Sequence, residues 1–252
     1  MRLTTLGTGT IALSPSRACA GSLVEQGATR LLVDCGSGVT RRLAELALPW
    51  PDITHVALSH FHIDHHGDLP TLIFACRYGI LPARRAPLAV IGPAGTVDLM
   101  ARLAAAYGTW VLEPGFPLTV AEIAPETPLA LGDGLVLEAR PVPHTPESVA
   151  YCVSDGAHRL VYTGDTGFDP ALAEWASGCD VLLCECSLPE ALAIPEHLTP
   201  EQCGALAELA NPRHLVLTHL YPPVEDVDIP AAVAARYRGP LTVAHDGWQT
   251  DI

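Results

Sequence analysis

The sequence contains no lysine and is short of positive charge altogether. All 14 basic residues among its 252 are arginines, against 28 acidic residues, so the formal net charge is −14 at pH 7. A protein this acidic repels polyanions unless its charge is locally reversed. The only adjacent basic pairs are Arg41-Arg42 and Arg84-Arg85. We therefore expect no long nucleic acid among its substrates.

Long hydrophobic runs are also missing. No apolar stretch approaches the roughly 18 to 20 residues that span a bilayer, and residues 1–7 lack the apolar segment of a signal peptide. These absences predict a cytoplasmic protein that does not engage a membrane.

The eight cysteines never form a C-x-x-C pair. In a cytoplasmic chain, scattered cysteines in apolar segments are typical of small buried hydrophobes. Cys184 and Cys186 are too close together for an ordinary zinc knuckle, and their apolar neighbours indicate the end of a buried strand.

Apolar residues make up 49% of the chain and charged residues only 17%, which is enough apolar material for a core. Strands and helices alternate twice, so we expect an α/β fold in a single domain, residues 1–252, with two α/β halves joined near 113–128. Strands are predicted at 3–6, 22–26, 30–33, 55–58, 135–141, 149–154, 159–163, 181–184, 215–218 and 241–244, and helices at 39–48, 69–78, 96–107, 170–176, 200–210 and 230–237.

Three histidines and an aspartate directly follow one predicted strand in the order H-x-H-x-D-H. Alternate residues of an extended segment point the same way, so His60 and His62 can bind one metal ion. Asp64 and His65, on the following turn, then face a second ion. The spacing favours metal chemistry over chance.

Two metal ions need more than four protein ligands. Because sites in layered α/β folds collect at the loops that leave strands, the other ligands are expected at other strand ends. Three residues fit this description: His144 after Pro143, Asp165 in Gly-Asp-Thr, and His219 in Thr-His.

With these residues in this order, the sequence resembles the metallo-β-lactamase fold superfamily, including the superfamily's Gly-rich opening turn (residues 6–10) and its Asp-x-Gly strand end (residues 32–36). The resemblance implies a four-layer αββα sandwich of two mixed sheets flanked by helices. True lactamases of the superfamily lack the bridging aspartate, which argues against antibiotic hydrolysis here. The implied ligands are His60, His62 and His144 on one ion, Asp64, His65 and His219 on the other, and Asp165 bridging both.

Within the superfamily, the sequence is most similar to the ribonuclease Z-like phosphodiesterases. Glu185-Cys186-Ser187 and His197-Leu198-Thr199 match two short triplets of that branch. The resemblance implies that His197 donates a proton to the leaving group and that Glu185 orients it. A homodimer is a further expectation from the resemblance.

The predicted activity is hydrolysis of a small phosphodiester by a hydroxide that bridges two divalent cations, with Asp64 accepting a hydrogen bond from it. Zn²⁺ suits the nitrogen and carboxylate ligands best, and Mn²⁺ or Fe is also compatible. Relatives that process transfer RNA carry a long arm between the third histidine and the bridging aspartate, and here only 21 positions separate His144 from Asp165. The alternative is a thioester or lactone hydrolase of the same superfamily.

Several residues near these motifs have ordinary structural roles as their default interpretation. Asp34 and Asp68 are expected to brace loops, and His66 to lie in a supporting or solvated position. No paired ligand is near His55, His158, His214 or His245.

Overall fold

Fourteen strands form two seven-stranded sheets, and the computed structural model describes residues 1–252. In spatial order the first sheet contains β14 (Gln249–Asp251), β1 (Arg2–Gly7), β2 (Gly21–Gln26), β3 (Thr29–Val33), β4 (His55–Ala57), β5 (Leu88–Gly92) and β6 (Leu118–Glu122). The second contains β13 (Leu241–Val243), β12 (His214–Thr218), β11 (Val181–Glu185), β10 (Arg159–Tyr162), β9 (Val149–Ser154), β8 (Leu135–Pro141) and β7 (Leu129–Gly132).

Each sheet is antiparallel on one side and parallel on the other. In the first sheet β14 to β3 pair antiparallel and β3 to β6 pair parallel. In the second sheet β7 to β10 pair antiparallel and β10 to β13 pair parallel. The chain passes from the first sheet to the second between Glu122 and Leu129. The parallel strands of each sheet end at one edge, and their loops meet there.

Eight helices cover the sheets: α1 (Val39–Glu45), α2 (Ile63–His66), α3 (Leu69–Tyr78), α4 (Thr96–Tyr107), α5 (Pro170–Trp175), α6 (Pro200–Ala210), α7 (Pro222–Glu225) and α8 (Ile229–Ala234). None of them combines the length and apolar character needed to cross a bilayer.

The apolar core consists of three clusters, one for each interface between four layers. One cluster joins the first sheet to α1, α3 and α4, one lies between the sheets, and one joins the second sheet to α5, α6 and α8. Neighbouring strand residues alternate between clusters: Leu182 packs toward the helices and Leu183 toward the other sheet. Because successive side chains of a strand point to opposite faces, a buried strand is apolar throughout. The four-layer αββα sandwich is therefore confirmed.

Most predicted elements are present, and a few bounds are wrong. The helix predicted at 39–48 ends at Glu45, since Ala47 adopts a left-handed backbone with φ of 52°. The helix predicted at 230–237 runs from Ile229 to Ala234. Strands β5, β6, β7 and β14 are not among the strands predicted from the sequence. All eight cysteines are free and buried, as predicted.

Candidate metal centre

The predicted metal ligands come from both sheets. The H-x-H-x-D-H segment follows β4 of the first sheet, and its last residues form the single-turn helix α2. His144, Asp165 and His219 follow β8, β10 and β12 of the second sheet. Sheet topology thus brings residues up to 159 positions apart to one edge, between the two sheets.

Three histidines and one carboxylate oxygen form the first group. His60, His62, His144 and Asp165 place one potential ligand atom each within 4.8 Å of one another. Nε2 of His144 lies 3.1 Å from Nδ1 of His62, and Oδ2 of Asp165 lies 3.8 Å from Nε2 of both His60 and His144. Such a set of atoms could hold a metal ion.

Asp64, His65 and His219 form the second group. The Nε2 atoms of the two histidines are 3.4 Å apart, and Oδ2 of Asp64 lies 3.5 Å from Nε2 of His219. Oδ1 of Asp165 lies 3.3 Å from Nε2 of each histidine. One oxygen of Asp165 therefore faces each group, which is the placement of a bridging carboxylate.

A cation fits this site because buried polar atoms there have no protein partner. Nε2 of His60 and Oδ1 of Asp165 are buried and accept or donate no hydrogen bond. Unpaired polar atoms of this kind are rare in native structures, since each costs about 1–3 kcal/mol. A divalent cation bound by these atoms would remove the penalty, and a donor set of imidazole nitrogen and carboxylate oxygen suits such ions.

The second ring nitrogen of four histidines is already hydrogen-bonded. Nδ1 of His65 donates to Oδ2 of Asp34 at 2.8 Å, and Nδ1 of His144 donates to the backbone oxygen of Glu196 at 2.9 Å. The corresponding Nδ1 partners of His60 and His219 are the hydroxyls of Ser59 and Ser187, at 3.1 and 2.9 Å. Bonds of this kind fix the tautomer in which Nε2 carries the free lone pair.

The electrostatics of the site also favour a cation. Burial, reinforced by the charge of His65, lowers the pKa of His60 to about 2. Burial also acts to lower the pKa of His65, but the carboxylates of Asp165 and Asp34 outweigh it and raise that pKa well above its usual value. These buried carboxylates therefore draw positive charge into the site.

Glu185 and His197 converge on the same place. Glu185, the last residue of β11, is fully buried, and its Oε1 accepts hydrogen bonds from the backbone N of Thr166 (2.6 Å) and from Nδ1 of His197 (3.0 Å). The ring of His197 stacks on that of His219 at 5.7 Å. His197 also joins Asp165 and His219 as a third set of close potential ligand atoms.

The remaining histidines lie outside the centre. His66 is buried beside it, with Nε2 at 3.1 Å from the backbone oxygen of Phe61. His158 bonds Asp155, and His214 bonds Thr242. His55 bonds the neighbouring Thr54, and His245 is exposed. No metal group includes any of these five histidines.

Two supporting residues gain roles that sequence reasoning did not specify. Asp34, expected only to brace a loop, accepts hydrogen bonds from Ser59, His65 and Tyr162. Ser187 contacts both Glu185 and His219. Two sequence features could have indicated these roles: the position of Asp34 directly after β3, and the serine in the triplet that begins with Glu185. Asp68 accepts bonds from Gly38 and Thr40 and ties α1 to the loop before α3.

Comparison with known proteins identifies the class. The sequence model of a family described as "Beta-lactamase superfamily domain" matches residues 29–220. The chain belongs to this superfamily, stands near its ribonuclease Z-like members, and is a metal-dependent hydrolase.

Individual relatives cover nearly the whole chain. A Mycobacterium tuberculosis protein, Rv1339, is 33% identical over 96% of this chain and 88% of its own length. A Mycobacterium bovis ribonuclease Z is 28% identical over 100% of this chain and 98% of its own length. The crystal structure of the metallo-β-lactamase fold protein YhfI from Bacillus subtilis superposes with a TM-score of 0.86 at 25% identity, covering 99% of this chain and 98% of YhfI.

Proposed function

We propose that the protein binds two divalent cations, Zn²⁺ by preference, and hydrolyses a small phosphodiester. His60, His62 and His144 would hold one cation, Asp64, His65 and His219 would hold the other, and Asp165 would contribute an oxygen to each. Cations bound there would lower the pKa of a water molecule and offset negative charge on phosphoryl oxygens.

The observation that carries the phosphodiester assignment is the position of His197. Its Nδ1 is bonded to the carboxylate of Glu185, so Nε2 remains to hold a proton. Burial acts to lower the pKa of His197, but Glu185 outweighs it and raises that pKa above the ordinary value. His197 is thus suited to protonate the oxygen that leaves when the P–O bond breaks. An alkoxide leaving group needs such an acid.

Asp64 is placed to act on the attacking water. Burial tends to raise the pKa of Asp64, but the neighbouring imidazoles of His219 and His65 outweigh this effect and lower that pKa to about 2. The carboxylate therefore stays ionised at neutral pH and accepts a hydrogen bond from the nucleophile. The water oxygen would form the new P–O bond and lose one proton to the solvent. The P–O bond to the leaving oxygen would break, and that oxygen would take the proton from Nε2 of His197.

Substrate size is inferred from the segment between His144 and Asp165. Most of it is the hairpin of β9 and β10, closed by a short turn at residues 155–158. No arm that could hold an extended RNA projects from this position. Together with the net charge of −14, this supports a small phosphodiester. The similarity to a ribonuclease Z supports phosphodiester chemistry.

The test is steady-state hydrolysis of bis(p-nitrophenyl) phosphate, a thioester, a lactone and a transfer RNA precursor by zinc- and manganese-loaded protein. We expect turnover of the phosphodiester, none of the RNA, and a loss of about 10²- to 10⁴-fold in His197→Ala. His158→Ala is the matched control, because His158 belongs to none of the metal groups and its side chain bonds only Asp155.

Thioester or lactone turnover that is indifferent to His197→Ala would favour the alternative carbonyl hydrolase and remove His197 from the mechanism. Efficient cleavage of the RNA precursor would overturn the small-substrate assignment. Cytoplasmic location and a homodimer stay predictions, to be checked by fractionation and by light scattering.

A further inference from the structure

The hydroxyl of Ser187 lies between the proposed acid pair and a proposed metal ligand. Its Oγ makes a short hydrogen bond with Oε2 of Glu185 and lies 2.9 Å from Nδ1 of His219. It also lies 3.4 Å from Nδ1 of His197. The residue is fully buried, so no water replaces these contacts.

A serine hydroxyl carries one hydrogen, and the carboxylate of Glu185 can only accept. The backbone oxygen of His219 is a second acceptor, 3.2 Å away, but the Glu185 carboxylate is nearer and charged. The hydrogen therefore goes to Glu185, and the hydroxyl oxygen accepts from Nδ1–H of His219. This assignment leaves Nε2 of His219 unprotonated where it faces Asp64 and Asp165. The reverse assignment would put a proton on Nε2 and prevent it from binding a cation.

Oε2 of Glu185 has three hydrogen-bond donors, and the Ser187 hydroxyl is one of them. The other two donors to that oxygen are the backbone N of Leu198 and Nδ1 of His197, each at 3.2 Å. Without the Ser187 hydroxyl, Oε2 of Glu185 would keep only these two bonds of 3.2 Å, and we expect its orientation to be less well fixed. The position of His197 depends on the same carboxylate.

The backbone around Ser187 and His219 is also joined. His219 adopts a left-handed conformation with φ of 57°, which costs a non-glycine residue free energy and persists only where neighbours hold it. The backbone N of Tyr221 donates to the oxygen of Ser187 at 3.3 Å. This hydrogen bond connects the loop after β11 to the loop after β12.

We propose that Ser187 is a positioning residue that couples the second metal group to the acid pair, by fixing the tautomer of His219 and the orientation of Glu185 with one hydroxyl. The metal-binding half of this proposal rests on His219 being a ligand, and the catalytic half rests on the proposed function.

The first test measures zinc affinity by calorimetry for Ser187→Ala and Ser187→Thr. We expect Ser187→Ala to weaken binding at one of the two sites by about 10- to 100-fold, as for other residues that orient a metal-binding histidine. Ser187→Thr keeps the hydroxyl and should restore most of the affinity. Thr4→Val is the matched control, because Thr4 is a buried residue of β1 whose hydroxyl has no partner.

The second test is a double-mutant cycle on turnover with His197→Ala at saturating zinc. We expect Ser187→Ala to slow the wild type much more than it slows His197→Ala, because the acid that it positions is already missing. Its effect on zinc affinity should be the same in both backgrounds.

Unchanged zinc affinity in Ser187→Ala would overturn the metal half of the proposal, and additive effects on turnover would overturn the coupling. Equal losses in the Thr and Ala variants would also contradict it, since the hydroxyl would then be irrelevant. A wild type that hydrolyses no phosphodiester would defeat the proposed function, while the affinity measurements would still decide the metal half.

Discussion

The proton that the proposed reaction uses is held on a histidine beside a buried carboxylate. Glu185 raises the pKa of His197 against the effect of burial, so the protonated acid persists to higher pH than it would alone. Activity that needs this proton is present below the pKa of His197 and falls as the pH rises through it.

Glu185→Gln should therefore move the descending limb of the kcat/KM profile to lower pH, because glutamine keeps the shape but not the charge. The measurement is the pH dependence of bis(p-nitrophenyl) phosphate hydrolysis at saturating metal. Glu190→Gln is the control, since Glu190 bonds Thr199 and not His197. Coincident limbs for wild type and Glu185→Gln would show that His197 is not the titrating acid.

Asp34 acts on the other side of the centre. It is completely buried and has a φ of 58°. Its carboxylate oxygens accept hydrogen bonds from His65, Ser59 and Tyr162. Asparagine tolerates this backbone conformation, so Asp34→Asn removes one acceptor oxygen and the negative charge without straining the backbone. We expect zinc affinity to fall about 10- to 100-fold and the free energy of unfolding to fall by about 1–3 kcal/mol.

The matched control for Asp34→Asn is Asp133→Asn. Asp133 also has a left-handed backbone, with φ of 48°, accepts three hydrogen bonds from Ala28 and Thr29, and belongs to none of the metal groups. Denaturant unfolding and zinc calorimetry on both variants separate the two effects. If both variants bind zinc as the wild type does, Asp34 does not orient His65.

Helices and strands whose ends depend on neighbouring residues could be predicted from the sequence. The helix predicted at 200–210 is present with those bounds. Thr199 caps it in a complete capping box with Gln202, and Pro200 fits its first turn, so local side chains fix where it begins. The short polar strand β14 was missed, because it exists only through pairing with β1, some 250 positions away. Strand β5, an apolar run of five residues, has no periodicity that separates it from a buried helix segment.

The same distinction applies to the candidate site. The H-x-H-x-D-H segment is contiguous, so its spacing alone indicated two groups of ligands. Asp34 and His65 are 31 positions apart, and Ser187 and His219 are 32 apart. Those contacts depend on which strands are neighbours in each sheet. The order and register of the strands could not be predicted from this sequence, so these contacts could not be predicted either.

At the scale of the whole molecule, the site joins the two sheets. One ligand segment follows β4 of the first sheet, and the other three ligands follow β8, β10 and β12 of the second. The prediction of a single domain over residues 1–252 stays a prediction. The arrangement of the ligands is consistent with that prediction, because cations bound at the site would connect both halves of the chain.

Metal removal should therefore lower the stability of the whole fold. A ligand that binds only the folded state stabilises it by RT ln(1 + [L]/Kd), about 2.7 kcal/mol at a free concentration of 100 Kd. We expect a chelator to lower the urea midpoint and added Zn²⁺ to restore it. In a His60→Ala/His65→Ala double variant, which lacks a ligand in each group, the chelator should have no effect. Equal midpoints for zinc-loaded and chelated wild-type protein would contradict this expectation, since the buried carboxylates between the sheets would then be stable without a cation.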